Sequence, residues 1–113
     1  MPIGYFQIDN LIQQRIHFSM FSTVDLSPFA SVARYVGLEK MHLEQITTAV
    51  DKQMTAESFA TLVAEKGLDK AAPIIIVCED GEWSKASTEY LMSKGYINSF
   101  YALGGLQDLV KGP

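Results

Sequence analysis

Residues that hold metals or cross-link chains are scarce here: the 113 residues include one cysteine, Cys78, and two histidines, His17 and His42. One cysteine excludes a disulfide within the chain, and neither a C-x-x-C nor an H-E-x-x-H spacing is present to hold zinc. No metal and no cofactor are expected. Long hydrophobic runs are missing too. The central stretch Ile74–Cys78 is far too short to span a bilayer, and Met1-Pro2-Ile3-Gly4-Tyr5 lacks the basic-then-apolar order of a secretory leader. The expectation is a cytoplasmic protein with no membrane partner. Positive charge is also thin, with nine Lys and Arg against thirteen Asp and Glu, for a net charge of -4. Contact with a phosphate backbone needs a clustered excess of cations, so nucleic acid is not an expected partner.

What is present is ordinary for a folded domain: 48% apolar and 19% charged residues, in a chain long enough to bury one core unaided. No repeat or linker interrupts it, so residues 1–113 read as a single domain. Ile8, Leu11 and Ile12 recur at helical spacing and predict a short helix over Ile8–Gln14, with Asp9 as N-cap. The aromatic and β-branched stretch Phe18–Val24 predicts a buried strand, ended by Asp25-Leu26-Ser27-Pro28. Phe29, Val32, Ala33 and Val36 again fall at helical spacing, before Gly37. Thr55 is placed to cap a helix whose Phe59, Leu62 and Val63 share one face and which Gly67 stops.

Pro73 then opens Ile74-Ile75-Ile76-Val77, a β-branched run suited to a central parallel strand covered on both faces. Ser84–Lys94 predicts a helix with Ala86, Tyr90 and Leu91 inward and Gly95 as its stop. A strand through Ser99–Ala102 follows, and after Gly104-Gly105 a short closing helix carries Leu106, Leu109 and Val110. Strands alternating with helices imply an α/β three-layer sandwich, with a central, mostly parallel sheet and helices on both faces.

In open sheets of this kind ligands collect beyond the carboxyl ends of the strands, where Cys78 falls. A thiol at the start of a loop leading into a helix faces backbone N–H groups and the positive helix end, both of which favour the thiolate. The bland alternative stays open at this point, because a lone cysteine after an apolar strand is often inert core.

Taken together, Pro73-Ile74-Ile75-Ile76-Val77-Cys78, Gly81, Ser84 opening a helix, Tyr90-Leu91, Lys94-Gly95-Tyr96 and Leu103-Gly104-Gly105-Leu106 resemble the C-terminal half of a rhodanese-like sulfurtransferase domain. Upstream, Thr23-Val24-Asp25-Leu26-Ser27 is similar to the family's strand ending in Asp-Val-Arg, and Arg34-Tyr35-Val36 falls near its Gly-His-Ile segment. The resemblance implies a rhodanese-like fold whose loop cysteine accepts sulfane sulfur from a donor and passes it, as a persulfide, to a thiol or cyanide-like acceptor. Cys78 matches that cysteine. Glu79, Asp80, Gly81, Glu82, Trp83 and Ser84 match the loop whose backbone amides cradle the sulfur.

Two departures from the family pattern bear on function. Members that use thiosulfate tend to carry Arg, Lys or a hydroxyl residue in the loop, whereas Glu79, Asp80 and Glu82 place carboxylates around this thiol, and Ser27 stands where the companion arginine of Asp25 would be. A carboxylate about 7 Å from the sulfur opposes its negative charge by roughly 0.6–1.2 kcal/mol at an effective dielectric of about 40–80. Three together rival or exceed the roughly 0.3–1 kcal/mol supplied by a helix terminus. A neutral or cationic donor, or a protein partner with a basic surface, therefore suits the loop better than an anion. The competing class is an interaction module that keeps the fold without the catalysis. Phosphoryl transfer is disfavoured, since the clamp arginine it requires six residues after the cysteine is Ser84 here.

Other side chains carry plainer expectations. Trp83 is expected to pack on the loop, with walling the pocket or meeting a partner as the alternative. His17 and His42 have no acidic or thiol neighbour in sequence and are expected to be structural or exposed. Met20, Met41, Met54 and Met92 are expected to fill core, and Lys85 to bridge one of the loop acids.

Overall fold

The computed structural model describes residues 2–14, 16–32 and 43–111. Among the described residues five strands form one sheet: β1 (Pro2–Ile3), β2 (Ser19–Ser22), β3 (Thr47–Ala49), β4 (Ile74–Val77) and β5 (Ser99–Ala102). Their spatial order is β1-β5-β4-β2-β3 and every pairing is parallel. The helices between and after them are α1 (Tyr5–Gln13), α2 (Ser27–Val32), α3 (Ala56–Glu65), α4 (Glu82–Ser93) and α5 (Gly105–Lys111), with a further helical stretch at 43–46 leading into β3.

β4 lies at the centre, and all four of its residues are fully buried. Their side chains alternate between two cores, as strand geometry requires. Ile75 and Val77 join Ile8, Ile12, Phe18, Met20, Phe29 and Leu109 under α1, α2 and α5. Ile74 and Ile76 join Phe21, Phe59, Val63, Leu91 and Tyr96 under α3 and α4. This is the three-layer α/β sandwich expected from the sequence, and it explains why β4 shows no polar alternation: neither face meets water.

Local chemistry sets the helix limits. The Thr55 hydroxyl caps α3 by accepting the Ser58 N–H at 3.0 Å, as expected. α1 starts earlier than predicted: Gly4, not Asp9, is its N-cap, and Gln7 turns its side-chain oxygen back to accept the Gly4 N–H at 2.7 Å. In α4 the buried positions are Ser84, Ser87, Thr88 and Leu91, while Ala86 is exposed and Tyr90 half-buried. The inward face of α4 is thus hydroxylic, and apolar periodicity placed Ala86 on the wrong side. Met20 is core and Met54 packs at a core margin, but Met92 is 37% exposed and belongs to neither core. The predicted helical positions Ala33, Val36 and Gly37, the Arg34-Tyr35-Val36 segment, Met41 and His42 lie outside the described residues.

No described helix is long and apolar enough to cross a membrane.

Candidate active-site loop

Cys78 is the first residue past β4, at the carboxyl edge of the sheet, and is 3% exposed. The chain then makes a tight loop and enters α4 through Gly81, whose φ of 90° lies in the left-handed region and strains any residue with a Cβ. This turn brings N–H groups from both sides of the helix start to the sulfur. The Gly81 N–H donates to Sγ at 3.1 Å and the Ser84 N–H at 3.3 Å. Gly81 has no side chain with which to cap α4, so the thiol sulfur takes the place of the usual capping oxygen and receives a donor that the helix leaves unpaired.

The rest of the loop is tied around this contact. Asp80 Oδ1 accepts the Glu82 N–H at 3.0 Å and lies 3.9 Å from Sγ. Of the predicted cradle amides, then, those of Gly81 and Ser84 point at the sulfur, whereas that of Glu82 is turned to its own loop's carboxylate. Glu79, Asp80 and Glu82 are exposed. Asp80 is the carboxylate held against the thiol; Glu79 and Glu82 form the rim.

From the far side, the Leu106 N–H donates to the Cys78 carbonyl at 2.9 Å. Gly105, with φ of 71°, permits that approach: a Cβ there would lie 2.6 Å from the Cys78 carbonyl oxygen and overlap the Glu79 carbonyl as well. The Gly104-Gly105 pair thus buttresses the loop from beneath.

Trp83 is half-buried, donates from Nε1 to the Met54 carbonyl at 2.8 Å, and sets its ring edge-on to Phe59 at 5.3 Å between centroids. It locks α4 to the entrance of α3, so the ring packs on a neighbouring helix and not on its own loop as expected. Asp25, exposed beyond β2, accepts from the Ser27 N–H at 3.0 Å and the Ser27 hydroxyl at 2.8 Å. The backbone bond first, and the hydroxyl second, hold its carboxyl below the ordinary value. Ser27, in the place of an arginine, closes the turn into α2. His17 is exposed, and Lys85 is exposed with no carboxylate partner among the described residues, so the expected bridge to the loop acids does not form. Among the described residues no cluster of His, Cys, Asp or Glu is arranged to hold a metal.

One feature escaped sequence reasoning, which used only the backbone of Ser84. Its side chain is fully buried, with Oγ 3.2 Å from the Cys78 sulfur and donating to the Gly81 carbonyl at 3.2 Å. Its position in the first turn of a helix directly after the cysteine loop was the available signal.

No family model and no curated protein matches the chain at a significant level. Solved structures do. A rhodanese-like domain from Anabaena superposes with a TM-score of 0.63 at 15% identity, over 99% of this chain and 76% of that one. A rhodanese homolog from Thermus thermophilus gives 0.56 at 20% identity, over 96% and 99%. A human single-domain sulfurtransferase gives 0.61 at 12% identity, over 99% and 96%. The chain has a rhodanese-like fold.

Proposed function

We propose that this rhodanese-like chain is a sulfur carrier that holds sulfane sulfur on Cys78 as a persulfide. The observation that carries the reading is the pair of backbone N–H groups, from Gly81 and Ser84, directed at Sγ on the carboxyl edge of the sheet. Donors placed in advance around a sulfur stabilise the charge it bears as nucleophile and as leaving group without reorganising during the reaction. In the loading step the Cys78 thiolate forms an S–S bond to the outer sulfur of a donor R–S–SH, the donor's own S–S bond breaks, and R–S⁻ departs with the electron pair. In the discharge step an acceptor thiolate, or a cyanide-like nucleophile, takes the outer sulfur and the pair returns to Cys78. No metal or cofactor enters either step.

Asp80 beside the thiol and the rim of Glu79 and Glu82 repel anions, so the donor is neutral or cationic, or a protein with a basic surface, and thiosulfate is a poor substrate. The same exposed carboxylates favour a second reading, in which the edge binds a basic partner and Cys78 is chemically idle. Intact mass before and after exposure to thiosulfate and, separately, to a neutral persulfide separates these readings, with Cys78→Ser alongside. A reducible gain of one sulfur from the neutral donor, absent in the variant, is the expected result. No gain from either donor, with partner binding unchanged in Cys78→Ala, selects the binding module.

A further inference from the structure

We infer that the Ser84 hydroxyl is a third hydrogen-bond donor to the Cys78 sulfur, engaged only while that sulfur carries negative charge; as a catalytic role this rests on the carrier reading above. Ser84 Oγ holds one proton and has two acceptors within reach, the Gly81 carbonyl at 3.2 Å and Sγ at 3.2 Å. With the thiol protonated, S–H donates to Ser84 Oγ and Oγ–H donates to the Gly81 carbonyl. When the sulfur is a thiolate it no longer donates and becomes the stronger acceptor. Rotation about the Cβ–Oγ bond then turns the hydroxyl proton from the carbonyl to the sulfur. The carbonyl is not left bare, because the Lys85 N–H also donates to it at 3.0 Å. Ser84 is fully buried, so water does not compete for the proton. Among the described residues the ionisable group in contact with the sulfur is Asp80, whose Oδ1 lies 3.9 Å away and carries no proton to give it as a carboxylate; Glu79, Glu82 and Lys85 of the same loop and helix start are exposed.

Sγ is charged at the start of loading and at the end of discharge, and neutral in between. A donor to Sγ therefore has opposite effects on the two steps once the thiol is ionised: it tempers the nucleophile and improves the leaving group. A side chain that merely held the loop in shape would alter both steps in the same direction.

The test uses the whole chain with Ser84→Ala, Ser84→Thr and Ser84→Gly. Methyl methanethiosulfonate places S–CH3 on Cys78, with methanesulfinate as the leaving group, and dithiothreitol removes it, each rate being followed by intact mass on the plateau where each protein's loading rate no longer rises with pH. Since Cys78 is 3% exposed, dithiothreitol attacks the outer sulfur and Cys78 is the leaving group. Ser84→Ala and Ser84→Gly are expected to load as fast as the parent or up to about threefold faster, and to discharge about three- to tenfold more slowly. Ser84→Thr restores both rates. Loading and discharge slowed together, or neither changed, overturns the inference. Neither reaction requires sulfane sulfur, so failure of persulfide donors to load the parent counts against the carrier reading alone.

Discussion

At the scale of single residues, the loop depends on one absent side chain as much as on those present. Gly67 and Gly105 have nearly the same backbone, φ 70° and 71°, but a Cβ at Gly67 meets open space whereas one at Gly105 strikes the Cys78–Glu79 backbone. Gly67→Ala therefore measures the left-handed strain alone, about 1–2 kcal/mol. Gly105→Ala adds an overlap that costs about 1–3 kcal/mol more and displaces the Cys78 carbonyl from the Leu106 N–H. Denaturant unfolding of the two variants is expected to differ by that increment, and only Gly105→Ala should slow modification of Cys78. The sequence made the glycine pair conspicuous, and the resemblance included it. What it did not disclose was the partner, because the contact joins positions far apart in the chain. The Ser84 hydroxyl was missed for a different reason: its place in the first turn after the cysteine loop was visible, but which acceptors its side chain reaches is a matter of geometry.

At the scale of elements, legibility followed the strength of local signals. β4 and the end of α4 were readable because Pro73, an unbroken apolar run and Gly95 punctuate them, and α3 because Thr55 caps it, whereas α4 begins at Glu82, two residues before the expected Ser84. β1 escaped notice because two residues carry no period, and β3 because Thr47-Thr48-Ala49 is a partly exposed edge strand without an apolar face. The inward face of α4 was misjudged because Ser84, Ser87 and Thr88, polar in composition, are buried against the sheet. α2 illustrates how an element can hang on one charge. Asp25 closes its first turn through Ser27, and its folded pKa lies below the ordinary value of 3.8. A lowered carboxylate contributes stability above the unfolded pKa and loses it as pH falls through the folded one. Amide-exchange protection at the Ser27 N–H is therefore expected to hold from neutral pH down to 3.8 and to fade only below it, with the pH dependence abolished in Asp25→Asn.

At the scale of the whole molecule, the parallel sheet sorts charge as well as strands. Asp25 follows β2, Asp51 follows β3, and Glu79, Asp80 and Glu82 follow β4, so the carboxyl edge gathers acids, with Lys52 and Lys85 among them. The opposite edge mixes signs, with Glu65 and Asp69 beside Lys66, Lys70 and Lys94 at or beyond the helix ends. Surface fields of this kind act over a Debye length, about 8 Å at 0.15 M ionic strength. If the edge selects its donor by charge, loading of Cys78 by a cationic persulfide should slow as salt rises and loading by an anionic one should quicken, while a neutral donor is indifferent. Stopped-time mass spectra at low and high salt measure this, and parallel salt curves for all three donors would remove charge as the basis of selection.

The strand order has a further consequence in time. Pro2 and Ile3 pair with Tyr101 and Ala102, so among the described strands the earliest in the chain is partnered by the latest. A ribosome must deliver β5 before the sheet can acquire its β1 edge. Until β5 emerges, the flank of β4 that it covers has no neighbour, and the nascent protein holds an open backbone edge beside Cys78. The sulfur site is thus among the last features of the fold to become fixed, and a messenger truncated before β5 yields a chain that has its cysteine but lacks the buttress beneath it.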